Sequence, residues 1–244
     1  MEAATRRVLL VGGAGRTGRF TARALLARGF LVRALVRDPK AAAAVLPGVE
    51  LVEGRLQSQA AIDAAVADIW AVVFVAAAVG SVDSHPIDVD FRGVQRVATA
   101  AKAGGARHFV LLSSAGVTQS EHPHNVTFHQ VLKYKLKGEE ALRASGLDYT
   151  IVRALGLRDR PSGETGVRLL QGDRIAFGED IARADVGEFL ASVTAAVGGQ
   201  AATDGFAPDF DRTSLTGATL EIYNDGRLPS HVWGHAGERL RGDV

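Results

Sequence analysis

The chain repeats one pattern along most of its length: a short apolar run, then a stretch with apolar residues every three or four positions, then another apolar run. Short apolar runs are typical of strands, and the longer periodic stretches are typical of helices that pack one face on a sheet. The predicted strands are Arg6–Val11, Phe30–Val36, Val49–Glu53, Trp70–Ala78, Arg107–Leu112 and Leu147–Val152. The predicted helices are Arg16–Arg28, Ser58 to about Ala67, about Asp90 to Gly104, and about Gln130 to Ala144.

This alternation predicts an α/β fold, a doubly wound parallel sheet with helices on both faces. Trp70–Ala78 is almost wholly apolar, as expected of a strand that is covered on both faces. In such sheets, ligands bind at the carboxyl ends of the strands. We therefore expect the chemistry of the chain to lie just after its first, fourth, fifth and sixth strands.

Three glycines, Gly12, Gly15 and Gly18, fall three residues apart where the first strand hands over to the first helix. Glycine permits a tight turn and a close approach of backbone to a ligand. The amides at the start of the next helix supply donors and the positive end of the helix dipole. Glycine turns without ligands are common, but this one lies in a strand–helix–strand unit of suitable length. The pattern predicts a binding site for the pyrophosphate of a dinucleotide.

The end of the second strand decides which dinucleotide is expected. An acidic residue there usually binds the ribose hydroxyls of NAD, whereas an arginine accommodates the 2′-phosphate of NADP. Asp38 is followed by Pro39, which is typical of a helix N-cap and first helical position, so Asp38 has a structural role. Arg37 is then left to face the ribose, and Arg16 in the glycine loop could bind the same phosphate. Either arginine could instead be a solvated surface charge, but we expect NADP.

Composition excludes several other classes of protein. The 244 residues suit one α/β domain over residues 1–244, with a core at about 6–152, substrate-side segments at about 153–223 and a tail at 224–244. Lysine and arginine total 28 against 27 acids, which favours neither nucleic acid nor a membrane as partner. The chain has no cysteine and no long apolar run. We expect a cytoplasmic protein without disulfides or zinc–thiolate sites.

Several segments together resemble a known family. They are GGAGRTGR and ALVRDP, the alanines after the fourth strand, FVLLSSAG after the fifth, LRASGLDYTIVR around the sixth, and IARADV at 181–186. This ordered set is similar to the atypical short-chain dehydrogenase/reductase group, within it the NAD(P)H-binding, NmrA-like and biliverdin reductase B-like proteins. The likeness covers roughly residues 6 to 223. It implies a Rossmann-type domain that binds NADP, in a group that mixes reductases, epimerase-like proteins and regulators that only sense the cofactor.

The resemblance also implies which residues bind the cofactor. The phosphates would be held by Gly12, Gly15, Arg16, Thr17, Gly18 and Arg37, with Ala76, Ala77 and Ala78 on the adenosine side and Leu56 and Ser113 also at the site. Family members commonly read Gly-Asp-Leu after the third strand, where this chain reads Gly54-Arg55-Leu56. Arg55 would either stack on the adenine or point to water.

The catalytic prediction centres on Ser114 and Lys135. Short-chain reductases typically use a serine after the fifth strand, a tyrosine acid, and a lysine one turn later that also holds the nicotinamide ribose. Lys135 matches the family's lysine, but the tyrosine position holds Val131. On a helix, Lys133 and Lys137 share a face, whereas Lys135 points toward the side that packs on the sheet.

The missing tyrosine leaves the proton donor open among four candidates: Tyr134, His129, Ser114 or a water. His122, His124 and His129 lie between the fifth strand and the next helix, and we expect them to form a flap over the substrate, with no metal site.

The segment from Arg153 onward should build the substrate pocket. Three of its arginines would either bind an anionic substrate or coat the surface: Arg158, Arg160 and Arg168. Farther on we predict an amphipathic helix over Ala184–Val197, capped near Asp185, and a last strand over Thr219–Tyr223. The glycine-rich tail would be frayed or would contribute to a homodimer.

The sequence leaves three functional hypotheses. The first is an NADPH-dependent reductase of a small carbonyl or conjugated substrate. The second is a regulatory or scaffold protein that senses NADP(H) without turnover, which the missing tyrosine favours. The third, a sugar epimerase, is weakened by the short region after the sixth strand.

Overall fold

The computed structural model describes residues 6–78, 84–123, 125, 130–176, 178–200, 212–228, 233–235 and 243, with the backbone alone at 212, 213 and 233–235. The first half comprises β1 Arg7–Val11, α1 Arg16–Ala27, β2 Leu31–Val36, α2 Pro39–Ala43, β3 Glu50–Glu53, α3 Gln59–Val66 and β4 Ala71–Phe74. A π-helical turn, Ile87–Phe91, leads into α4 Arg92–Ala103, followed by β5 His108–Ser114, α5 Val131–Arg143 and β6 Tyr149–Ala154. The remaining elements are β7 Leu157–Arg158, β8 Gly166–Leu170, β9 Ile181–Ala182, α6 Arg183–Val197, α7 Arg212–Leu215, β10 Ala218–Asp225 and β11 Trp233–His235.

Among these residues, nine strands form one sheet in the order β11-β8-β10-β6-β5-β4-β1-β2-β3. All neighbours from β3 to β10 are parallel, and β8 pairs antiparallel with β10. β7 and β9 form a separate parallel pair. The predicted Rossmann-type α/β fold is confirmed. Chain order reverses between β1 and β4, which is where such sheets bind dinucleotides.

Two apolar layers cover the sheet, one on each face. One includes Leu25 of α1 and Phe189 of α6, and the other includes Ile62 of α3, Val97 of α4 and Leu142 of α5. A Cβ on Gly187 would lie 2.8 Å from the backbone of Phe20 and Thr21, so only glycine lets α6 approach α1 this closely. None of the described helices is long and apolar enough to cross a membrane.

Several predicted boundaries are confirmed and others are wrong. Asp38 and Ser58 cap α2 and α3 through their side chains, as expected. The fourth strand ends at Phe74 and not at Ala78, although the amide of Val75 still donates a hydrogen bond of 2.9 Å to the carbonyl oxygen of Val11 on β1. The helix at Arg183–Val197 is not amphipathic: 13 of its 15 residues are buried between the sheet, α1 and α7. Asp185 lies in its first turn and is buried, while Ala182 is the N-cap.

Candidate cofactor and active site

The glycine loop lies at the carboxyl end of β1, beside the end of β4. Gly12 has a φ of 89°, and a Cβ on it would lie 2.5 Å from the amide nitrogen of Ala76. A Cβ on Gly18 would lie 2.2 Å from the carbonyl oxygen of Gly12. Gly15 is the N-cap of α1, with no side-chain hydrogen bond to the first turn. The loop therefore has no room for side chains at Gly12 and Gly18, and no side chain caps the first amides of α1, which fits the pyrophosphate of a dinucleotide.

The two residues after Gly15 have different surroundings. Arg16 is exposed, and its Nη1 lies 3.0 Å from Oδ2 of Asp159, on the segment that follows β7. Thr17 is buried, and its carbonyl oxygen accepts a hydrogen bond from Thr21. Arg16 thus lies at the mouth of the site, between the glycine loop and the substrate-side segments. The binding roles of both residues stay predictions.

After β2, the two candidate ribose contacts, Arg37 and Asp38, have different surroundings. The Asp38 carboxylate accepts a hydrogen bond of 3.0 Å from the amide of Ala41, with Pro39 in the first turn of α2. Arg37 is exposed, and its side chain makes no hydrogen bond or ion pair with the described residues. The acidic side chain is used to cap the helix, and the guanidinium is left at the edge of the site.

Lys135 is held beside the segment that follows β4. Its Nζ lies 2.8 Å from Oδ1 of Asp90, although the angles at this contact are not those of a hydrogen bond. The other oxygen of Asp90 accepts a hydrogen bond of 3.1 Å from the amide of Ala78. The Lys135 side chain is only 14% exposed, whereas Lys133 and Lys137 are exposed. The predicted inward orientation of Lys135 is confirmed, and Asp90 ties it to Ala76–Ala78.

The π-helical turn Ile87–Phe91 presents Asp90 to α5. A Cβ on Gly138 would lie 2.1 Å from the carbonyl oxygen of Asp90, so α5 packs directly on this backbone. π turns inside helices often occur at functional sites. Sequence reasoning used Asp90 only as a helix start and missed its contact with Lys135. An acid at a helix start, 45 residues before the lysine, gives no local signal for this pair.

A small recess lies between the ends of β4 and β5 and the helices α4 and α5. Its walls are mostly apolar, but the charged side chains of Asp90 and Lys135 also line it. The lining residues are Phe74, Ala76, Asp90, Val94, Leu111, Leu112, Ser113 and Lys135. Val131 is half-buried one turn before Lys135 and brings no proton donor. The arrangement offers an ammonium group at the edge of an apolar recess, beside the glycine loop. Such a group can hold ribose hydroxyls or donate a proton.

The two serines at the end of β5 have different roles in the structure. The hydroxyl of buried Ser113 donates to Oε1 of Glu139 at 2.6 Å. Ser114 is half-buried and donates at 3.0 Å to the carbonyl oxygen of Ala115, its neighbour. A local bond of this kind is easily exchanged for a ligand, whereas the bond of Ser113 is part of the core. Ser113 therefore lines the recess, but its hydroxyl is already hydrogen-bonded to Glu139.

Glu139 is the centre of a buried polar cluster that the sequence analysis missed. Its side chain is 0% exposed, and Arg153 of β6 donates to it from Nε at 3.0 Å and Nη2 at 2.7 Å. Arg143 lies 3.3 Å from the same carboxylate. Burial alone would lower the pKa of Arg153, but its bonds to Glu139 and the charges of Glu139 and Asp173 raise it. The cluster fixes α5, and with it Lys135, to β5 and β6.

Asp173 extends this cluster to the loop that follows β5. It lies 4.0 Å from Arg153 and accepts hydrogen bonds from the amides of Gly116 and Thr118, at 2.6 and 2.9 Å, and from the Thr118 hydroxyl. The buried carboxylate of Glu221 accepts from the amides at 173–175 and so holds this turn on β10. Burial would raise the pKa of Asp173, but the bonds from Thr118 and Gly116 lower it below its ordinary value.

Asp173→Asn is expected to lower the free energy of unfolding at pH 7 by about 1–2 kcal/mol, the scale of hydrogen bonds to a charged group. Because the pKa is lowered in the folded state, this stabilisation is present above the unfolded pKa of about 3.9 and is lost as pH falls through the folded pKa. Urea unfolding between pH 7 and pH 3 should show the two proteins converging at acid pH. A difference that is constant with pH would contradict the assignment.

The three arginines that the sequence analysis named on the substrate side are each paired with an acid. Arg158 and Arg160 both contact Asp180, and Arg168 contacts Asp225 at 2.8 Å. Of the two interpretations that the sequence left open, the paired geometry favours surface and structural roles over binding of an anionic substrate.

The predicted histidine flap lies only partly within the described chain. His122 is buried against Gly116, while His124 and His129 lie outside the described residues. Tyr134 packs edge-on against His85, with ring centroids 5.9 Å apart. The described residues contain no group of three side chains arranged to bind a metal ion.

Comparison with known proteins identifies the family of the chain. Residues 12–196 match the model of an NAD(P)H-binding family, and the chain belongs to that family. The match begins at Gly12 and includes the glycine loop, Lys135 and β6. The predicted family resemblance is confirmed, and so is the class of cofactor at the level of NAD(P).

Individual relatives differ in what is known of them. The chain is 33% identical over 204 residues to an uncharacterized chloroplastic protein of Arabidopsis thaliana, covering 74% of this chain and 63% of that protein. It is 34% identical over 146 residues to a (4-alkanoyl-5-oxo-2,5-dihydrofuran-3-yl)methyl phosphate reductase of Streptomyces griseus, covering 60% and 46%. The chain thus spans less than two thirds of both relatives. A solved Bacillus halodurans structure of the NAD-dependent epimerase/dehydratase type superposes with a TM-score of 0.73 at 25% identity, covering 93% and 96%.

Proposed function

We propose that the protein is an NADPH-dependent oxidoreductase that reduces a small carbonyl or conjugated substrate. The observation that carries this proposal is the ammonium group of Lys135, held by Asp90 beside a recess at the carboxyl ends of β4 and β5. The 34% identity to a Streptomyces griseus reductase supports the same class of reaction.

The proposed chemistry divides between the cofactor and the chain. NADPH would supply the hydride. An ammonium group has three donors, so Lys135 can face Asp90 and still bind both hydroxyls of the nicotinamide ribose. Ser114 would turn its hydroxyl from the carbonyl oxygen of Ala115 toward the reacting oxygen of the substrate. With Val131 in the tyrosine position, the proton would come from Ser114, from Lys135 or from a water that they hold.

The choice of NADP over NAD is supported by the end of β2. One carboxylate oxygen of Asp38 accepts a hydrogen bond from the amide of Ala41, so this acid already has a structural role as the N-cap of α2. Arg37 is exposed and without a partner among the described residues, as a binding group for the 2′-phosphate should be before the phosphate arrives.

Arg37→Ala is expected to weaken NADPH binding by at least about tenfold, the scale of one charge-assisted hydrogen bond, and to leave NADH binding within about twofold. The measurement is a titration of purified protein with each nucleotide, following nicotinamide fluorescence. Wild-type protein that binds neither nucleotide would contradict the proposed function. Wild-type protein that binds NADPH and NADH equally would contradict only the preference for NADP.

A second candidate is a protein that binds NADP(H) to sense it and does not turn over. Val131 in the tyrosine position and the bound hydroxyl of Ser113 favour this candidate. A panel of quinones, flavins, aldehydes and enones separates the two. Oxidation of NADPH with any of them supports the reductase, and tight binding without oxidation supports the sensor.

Two properties of the whole protein are also proposals: its location and its oligomeric state. We place it in the cytoplasm, with the chloroplast of the Arabidopsis thaliana relative as the alternative. We also propose a homodimer, which size-exclusion chromatography with light scattering would test.

A further inference from the structure

Most of the arginines whose side chains the structure describes are occupied by partners. Among those whose side chains the structure describes, Arg37, Arg55 and Arg107 are the ones that make no hydrogen bond, ion pair or ring contact with described residues. All three are exposed. Arg107 precedes β5, at the edge of the sheet opposite to the glycine loop, whereas the other two lie on the cofactor edge.

The pairing of β2 and β3 places the backbones of Arg37 and Arg55 close together. Val36 is in register with Glu53, and the amide of Gly54 donates to the carbonyl oxygen of Val36 at 2.8 Å. Arg37 follows Val36 and Arg55 follows Gly54, so the two arginines leave adjacent strands just beyond the last hydrogen bond between them. Neighbouring strands lie about 4.8 Å apart. Both side chains therefore start from one short stretch of the edge.

The backbone on either side of Arg55 is fixed. The amide of Ser58 donates to the carbonyl oxygen of Arg55 at 3.0 Å, and Arg96 of α4 donates to that of Leu56 at 3.2 Å. The side chain of Leu56 packs against Gly93, where a Cβ would lie 2.9 Å from it. The guanidinium of Arg55 thus has no partner among the described residues, while its backbone is held by hydrogen bonds. A backbone that is already ordered lowers the entropic cost of binding a ligand.

The acidic residues at this edge form no ion pair with Arg37 or Arg55 in the described part of the chain. The carboxylate of Asp38 binds the amide of Ala41. Glu53 is exposed at the end of β3 and forms no ion pair with either arginine in the described part of the chain. Two free guanidinium groups with no paired carboxylate suit a dianionic group better than an uncharged adenine ring.

We propose that Arg55 is a second specificity-determining residue for the cofactor, which binds the 2′-phosphate of NADPH together with Arg37. This inference rests on the proposed function, because it deepens the assignment of the same nucleotide site. It makes Leu56 a support for the Arg55 backbone.

The test compares NADPH and NADH, which differ only in the 2′-phosphate, by calorimetric titration of wild type, Arg55→Ala and Arg107→Ala. We expect Arg55→Ala to weaken NADPH binding by about tenfold and to leave NADH binding unchanged, as for loss of one charge-assisted contact. Adenosine 2′,5′-bisphosphate, which carries the phosphate without nicotinamide, should lose affinity by the same factor. Arg107→Ala is the control, an unpaired arginine at the opposite edge, and should bind all three ligands as wild type does.

Each other outcome overturns the inference in a distinguishable way. Equal losses for NADPH and NADH would mean that Arg55 stacks on the adenine. No loss for either would mean that it is a solvated charge, with the proposed function intact if wild type still prefers NADPH. Wild-type protein that binds none of the ligands would overturn both this inference and the proposed function.

Discussion

Replacing Glu139 with alanine is expected to lower the free energy of unfolding by about 3–5 kcal/mol, because it leaves the guanidinium of Arg153 buried without its partner. The Glu139 side chain is 0% exposed and that of Arg153 is 6% exposed, so water cannot replace the lost contacts. Ser113 would lose its acceptor at the same time. Urea unfolding at pH 7 measures the effect.

The neighbouring residue Glu140 provides the matched control. It lies on the same helix and is exposed, so Glu140→Ala should change stability by no more than about 0.5 kcal/mol. Glu139→Gln keeps the shape of the side chain and can still make two of its hydrogen bonds. Its loss of stability should therefore fall between those of Glu139→Ala and Glu140→Ala. A loss below about 1 kcal/mol in Glu139→Ala would mean that the cluster does not hold α5 against the sheet.

The fold of this chain is predictable from sequence because its signals are local. The glycine loop, the N-caps at Asp38 and Ser58 and the apolar strand runs each depend on a few consecutive residues. The orientation of Lys135 was also predictable, since it follows from helical spacing relative to Lys133 and Lys137. These features specify the alternation of strands and helices up to β6 and the position of the glycine loop.

The polar core under the site was not predictable in the same way. Glu139 and Arg153 look like surface charges in a linear pattern, and their burial depends on a pairing between α5 and β6. Asp90 meets Lys135 only because the π-helical turn packs on Gly138. The sequence predicts an amphipathic helix over Ala184–Val197, but its polar residues Ser192 and Thr194 are buried, and the helix packs on α1 and the sheet. In each case a contact distant in sequence outweighed the local pattern.

The missed strands have the same explanation. β8 joins the sheet by antiparallel pairing with β10, across more than 50 residues from Arg168 to Tyr223, and β11 then pairs with β8. Such pairing leaves no local periodicity in a segment rich in glycine and charge. The substrate side is therefore the part of the fold for which structure adds most to the sequence.

Lys135→Ala is expected to lower kcat/KM for NADPH-dependent reduction by at least about 100-fold, the lower end of the range for general acid–base catalysis. Both roles proposed for the ammonium group, holding the nicotinamide ribose and supplying or relaying a proton, are lost together. Steady-state kinetics with a substrate found in the panel gives the measurement. Lys133→Ala, in which an exposed lysine of the same helix is removed, should retain wild-type kcat/KM.

A loss of activity in Lys135→Ala alone would not separate chemistry from folding, because the variant also leaves the carboxylate of Asp90 buried and unpaired. The double variant Lys135→Met/Asp90→Asn removes both charges and keeps an acceptor for the amide of Ala78. If Lys135 acts on the reaction, the double variant should regain stability in urea but remain at least about 100-fold slower. Recovery of activity together with stability would show that the pair only holds α5 against the π-helical turn, and the catalytic role of Lys135 would be wrong.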